Sequence, residues 1–173
     1  MPTENKLHRV LKYLKFLFYF AFIATVVFIF VNSAIPPEKS QEQSDKVSEI
    51  ISTVIPPETD IGKFIITNIR KIAHFTEYGL LGIEISLYIF IYKRKRAAWG
   101  AASASVPLVV GFTDESIQII SGRGPSISDV WIDIGGLTTY SLITYASLVA
   151  LYFLVKLVIF TVRCVKNKRN RND

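Results

Sequence analysis

Cysteine occurs once in this chain, at Cys164. One thiol closes no internal disulfide and builds no thiolate metal cluster. It lies in a basic stretch near the C-terminus, where it reads as an ordinary cytoplasmic thiol. No phosphate-cradling loop and no glycine-rich strand-to-helix turn occurs, which removes the usual nucleotide and CoA sites. No internal repeat and no low-complexity tract is present, so a repeat array is excluded. Charge is missing as well, over long stretches: none lies between Phe16 and Val31, between Ala97 and Thr113, or between Ile134 and Val155.

What remains is half hydrophobic, yet carries a net charge of +6 over 173 residues. A soluble protein rarely combines the two. They fit when apolar residues run together and cations gather at the ends of the runs. That placement favours a membrane over a nucleic-acid partner. A bilayer core ~30 Å thick takes about 20 apolar residues in a helix. Spans are expected near residues 16–35, 72–92, 97–120 and 134–155. The second tolerates His74, Glu77 and Glu84; the third runs on through Asp114 and Glu115. The expected fold is a single domain over residues 1–173, an all-α integral membrane protein built as a four-transmembrane-helix bundle.

Basic residues mark the cytoplasmic side. Lys6, Arg9, Lys12 and Lys15 precede the first span. Lys93-Arg94-Lys95-Arg96 separates the second and third. Lys156, Arg163, Lys166, Lys168, Arg169 and Arg171 follow the fourth. With four spans all three groups fall on one side, so both termini are expected in the cytoplasm of a bacterial, multi-pass membrane protein. A cleavable signal ending at Asn32-Ser33-Ala34 is the competing reading of the first run. The run is long for that, and Asn32 is a poor residue three positions before a cleavage point.

The loop from Ala34 to Arg70 falls outside. Between Pro36-Pro37 and Pro56-Pro57, the residues Val47, Ile50, Ile51 and Val54 recur at helical spacing. They predict an extracellular amphipathic segment between the first two spans, lying on the membrane surface or over the bundle. Ile61 to Ile69 has the same character.

Ionisable groups within a span are costly and usually mark function. Lys71, His74 and Glu77 follow at steps of three near the outer end of the second span, with Tyr78 one turn past His74. Asp114, Glu115 and Gln118 occupy the outer end of the third. Gly122, Gly124 and Pro125 bracket Arg123 in a tight turn. Asp129 and Asp133 open the fourth, where Ser128 or Asp129 suits an N-cap and Gly135 and Gly136 permit close helix approach. Three helices thus deliver polar groups to one level. Glu84 stands ~10 Å deeper than Glu77, apart from that group, and is expected to meet a hydroxyl across the bundle. His74 with Glu77 could ligate zinc, but a lone spacing of three is a weak signal, and no metal is assigned. A buried ion-pair network is the plainer reading, although desolvation offsets much of what such pairs gain.

KIAHFTEYGLLG followed by DESIQIISGRGPSISDVWIDIGG resembles the VanZ family. The matching positions are Lys71, His74, Phe75, Tyr78, Asp114, Glu115, Gln118, Arg123, Asp129 and Gly136, within residues 65–143. Asp133 departs from the pattern, since the family commonly has Asn there. The resemblance implies a small bacterial membrane protein, and its founding member is associated with resistance to teicoplanin, a glycopeptide with a lipid tail. The expected function is an outward-facing polar site acting on a lipid head group, a lipid-linked cell-wall precursor or a lipoglycopeptide. His74, Glu77, Asp114, Glu115 and Gln118 are its candidate catalytic cluster. Lys71, Tyr78, Arg123, Asp129 and Asp133 are its candidate ligand-binding residues. Whether it is an enzyme stays open, as does any cofactor. The alternatives are a non-enzymatic subunit or sensor with a structural polar cluster, and a small dimeric transporter or flippase, for which no inverted repeat is seen.

Overall fold

The computed structural model describes residues 2–91, 96–124 and 126–169. Lys93, Arg94 and Lys95 of the expected basic loop lie outside the described residues, as do Pro125 of the expected tight turn and Arg171 of the tail. The described chain is all helical: α1 Pro2–Ser33, α2 Pro37–Ser52, α3 Asp60–Thr67, α4 Ile69–Ile91, α5 Arg96–Ile120 and α6 Ile127–Arg169.

Among the described residues two helical stretches are long and apolar enough to cross a membrane, Lys12–Ser33 and Ile127–Cys164. Helices α4 and α5 are long enough at about 35 Å or more. Their composition is less apolar, because α4 carries His74, Glu77 and Glu84, and α5 is built largely from alanine, serine and glycine before Asp114. Large apolar side chains stay exposed along α1 and α6, Phe16 at 73% and Phe153 at 63% among them. A monomer in water would not leave such faces bare.

The prolines shape the outer segment. Pro37 opens α2 at a position where a missing N–H costs nothing. After Pro56-Pro57, the Thr59 side chain accepts the Gly62 N–H at 3.0 Å and caps α3. The expected amphipathic stretch is this pair of short helices. The helical stretch expected over residues 61–69 breaks at Asn68, and α4 begins at Ile69. Helix α6 extends well beyond the charge-free window at both ends, from Ile127 to Arg169. A span ends where charge begins, but a helix ends only where its backbone is stopped, and neither Gly nor Pro occurs between Leu137 and Arg169.

Helices α4 and α6 form the most extensive interface, and small residues make it close. A Cβ added at Gly136 would collide with the backbone of Phe75, and one at Gly82 with the backbone of Leu137. Ser86 donates to the Ser141 carbonyl at 3.0 Å, and Ser141 donates to the Gly82 carbonyl at 3.2 Å. Hydroxyls in this position join helices where lipid offers no hydrophobic drive. Gly135 differs: a Cβ there would lie 3.7 Å from the Phe75 ring, an ordinary contact. Gly136→Ala should therefore destabilise the protein by about 1–3 kcal/mol through overpacking, whereas Gly135→Ala should change little. Thermal unfolding of the purified protein in detergent checks the pair; equal effects would contradict the packing described.

The apolar core is Ile29, Tyr78, Leu81, Ile85, Ile89, Val110 and Leu137. At its edge an apolar hollow lined by Phe18, Phe22, Ile85 and Val106 also contains Glu84. The hydroxyl expected opposite Glu84 is that of Thr25, which donates to Oε1 at 2.8 Å.

Candidate functional site

The C-terminal ends of α1 and α5 and the N-terminal ends of α4 and α6 meet at one end of the bundle. The local reason is visible in the turn after α5. Gly122 has φ of 86°, the left-handed conformation glycine adopts freely. Its N–H reaches the Ile119 carbonyl at 3.2 Å, and the Arg123 N–H reaches the Gln118 carbonyl at 2.9 Å. That bond pair is a Schellman stop. It ends α5 within two turns of Asp114 and turns Arg123 back over the bundle end.

His74 stands at the centre. Its Nδ1 lies 3.2 Å from Asp133 Oδ1 and 3.7 Å from Asp114 Oδ2. Both carboxylates are fully buried. The other oxygen of Asp114, Oδ1, accepts the hydroxyl of Ser33, and Gln118 Nε2 donates to Oδ2 at 3.3 Å. Glu77 accepts from Asn32 Nδ2 at 2.8 Å. Glu115 Oε2 accepts the Ser126 N–H at 2.9 Å, so a carboxylate sits at the positive end of α6. The residues expected to cap α6, Ser128 and Asp129, lie inside its first turn instead; Ser126 precedes the helix.

Beside this cluster opens a cavity of about 470 Å³, lined among others by Asn32, Lys46, Arg70, His74, Glu77 and Arg123. Helix α2 forms one wall. There Glu42 and Lys46, one turn apart, pair at 2.7 Å; that hydrogen bond holds the Glu42 carboxyl below its ordinary range and lifts the Lys46 ammonium. Arg123 Nη2 donates to the Asn32 carbonyl at 3.4 Å, and its buried Nε has no partner among the described residues. Burial lowers the pKa of Arg123, the Arg70 charge pushes the same way, and Asp114 opposes both. A guanidinium remains charged in a protein, so Arg123 brings a cation with an unpartnered donor to the lining of the cavity.

The candidates therefore divide. His74, Asp114, Gln118 and Asp133 are brought together, with Glu77 and Arg123 on the adjoining wall. Glu115 stands apart from them, tied to the start of α6. Tyr78 is fully buried below the cluster, and its hydroxyl has no hydrogen-bond partner among the described residues. Lys71 is exposed and lines a separate hollow of about 370 Å³ with Asp129. Each step of three falls 60° short of a full helical turn, so the strip from Glu77 back to Lys71 rotates off the site. Asn32 and Ser33 complete the site from α1. Their signal in sequence is a polar pair closing an apolar run at the level of His74.

The VanZ/LLP1 family model matches residues 16–161. The chain belongs to that family. The match runs from the first apolar run into the second half of α6, so it includes the C-terminal part of α1, which supplies Asn32 and Ser33 to the site. Among curated proteins and among solved structures, nothing matches the chain. Two apolar helices together with VanZ/LLP1 membership point to a membrane protein.

Proposed function

We propose that this VanZ/LLP1 protein crosses the membrane four times with both termini in the cytoplasm. Its polar cavity then opens at the outer membrane-water boundary and holds the anionic group of a lipid, a lipid-linked wall precursor or a lipidated antibiotic. The observation that carries the reading is Arg123: a cation whose buried Nε has no partner among the described residues, in the lining of a cavity where three cations, Lys46, Arg70 and Arg123, meet a single acid, Glu77. A guanidinium offers paired donors to phosphate or carboxylate, and Arg70 and Lys46 add positive charge around it. His74 and Glu77, which both line the cavity, supply a base and an acid within reach of a bound group. The envelope and the glycopeptide association come from the family resemblance.

A second reading has its own support. Ser33 with Asp114 and Ser126 with Glu115 tie separate elements of the fold, as a purely structural network would. Susceptibility to teicoplanin and to vancomycin, with and without the gene, separates the two. Arg123→Gln and Glu115→Gln are compared with wild type at matched membrane abundance. If the cavity is a binding site, the gene gives a teicoplanin-selective shift that Arg123→Gln removes without loss of folded protein. A shift that falls only in proportion to folded protein supports the structural reading and overturns the first.

A further inference from the structure

We propose that His74, Asp114 and Asp133 bind a divalent transition-metal ion, zinc or manganese, in the buried cluster behind the cavity wall that His74 lines. This goes beyond the anionic-group reading and does not depend on it. The ligating atoms are His74 Nδ1, Asp114 Oδ2 and Asp133 Oδ1, drawn from three helices, and a donor atom from each residue lies within 4.8 Å of the others. Two ligands each ~2.1 Å from one ion stand roughly 3.0–3.4 Å apart. The separations of 3.2 and 3.7 Å from Nδ1 are close to that. The ion is therefore reached by small side-chain adjustments.

Charge points the same way. Two fully buried carboxylates face one imidazole. A protonated ring still leaves one negative charge there, and buried charge without compensation is expensive. A divalent cation with neutral His74 balances both acids. The second independent sign is an orphan. Asp133 is completely buried, yet its Oδ2 has no hydrogen-bond partner among the described residues, and neither has the buried Tyr78 hydroxyl. Both atoms flank Gly111, where a Cβ would stand 3.6 Å from Oδ2 and 3.8 Å from the hydroxyl. The two groups are near neighbours beside Gly111. Oδ2 is free to become a second donor to an ion held by the first.

The surroundings suit a ligand set. Ser33 takes Asp114 Oδ1 and so turns Oδ2 toward His74, the kind of support that orients metal ligands. Imidazole with carboxylate oxygens suits zinc and manganese better than calcium, which takes six to eight oxygens. Three protein ligands leave a position open for water. The pairing is not the His74 and Glu77 spacing visible in sequence, since Glu77 is held by Asn32.

Metal content of the full chain, purified in mild detergent from cells supplied with zinc and manganese, tests the proposal. Wild type should carry one ion per chain. His74→Ala and Asp133→Asn should lose it, Ser33→Ala should weaken it about 10–100-fold, and Glu84→Gln should keep it. Thermal unfolding adds a readout for variants that fold poorly. Chelator-stripped wild type should gain stability when Zn²⁺ or Mn²⁺ is returned, and Asp133→Asn should not. Wild type that carries no ion and does not respond overturns the proposal in favour of an imidazolium between two carboxylates. So does an equal response in Asp133→Asn.

Discussion

Replacing Asp114 by alanine should cost the fold on the order of 3–5 kcal/mol, the usual loss when one member of a buried charged network is removed. Asp114 is fully buried and joins three partners: the Ser33 hydroxyl of α1, the Gln118 amide of α5 and His74 of α4. Alanine leaves all three facing a void. Each buried polar group without a partner costs about 1–3 kcal/mol, and relaxation of the site recovers only part of the sum. For a chain of this length the midpoint should fall by roughly 6–20 °C. Asp114→Asn is the sharper comparison. The amide keeps the shape and an acceptor for Ser33, so most of the stability should survive while the charge beside His74 is gone. Thermal unfolding in detergent, with the yield of monodisperse protein, measures both. An alanine variant as stable as wild type would show that Asp114 does not hold α1, α4 and α5 together.

Most of the helical architecture is legible in the sequence. Apolar runs, prolines and helical spacing predict an all-α chain, and the His74 and Asp114 motifs give its family. Helix limits are harder to read. Lys156 and Arg163 bound an apolar window, but nothing in that stretch breaks a helix, so α6 runs past both of them. Within the site, Asn32 and Ser33 are indistinguishable in sequence from the polar end of any apolar run. Only packing against α4 and α5 shows what they hold. Lys71 shows the opposite difficulty. Its spacing puts it in a strip with His74, but the helical rotation takes it to another surface. Asp133, the position where the family resemblance is weakest, supplies the carboxylate nearest to His74. A departure from a pattern carries no geometry until the partner across the bundle is known.

Four spans would put the His74 end of the bundle and the end of α6 on opposite sides of the membrane. The chain carries the reporter for one side already. Cys164 is its single cysteine and is exposed near the end of α6. Ser44 on α2 borders the cavity and can report the other. The expected contrast is large, because a membrane-impermeant maleimide either reaches a thiol or does not.

Labelling of intact cells with that maleimide is the most direct test of an outward-facing polar site. Cys164 in wild type should react only after the membrane is permeabilised. Ser44→Cys, made together with Cys164→Ser, should react in intact cells, and a short anionic lipid that occupies the cavity should slow that reaction. Labelling of both positions from one side, or of Ser44→Cys only after permeabilisation, would contradict an outward-facing site.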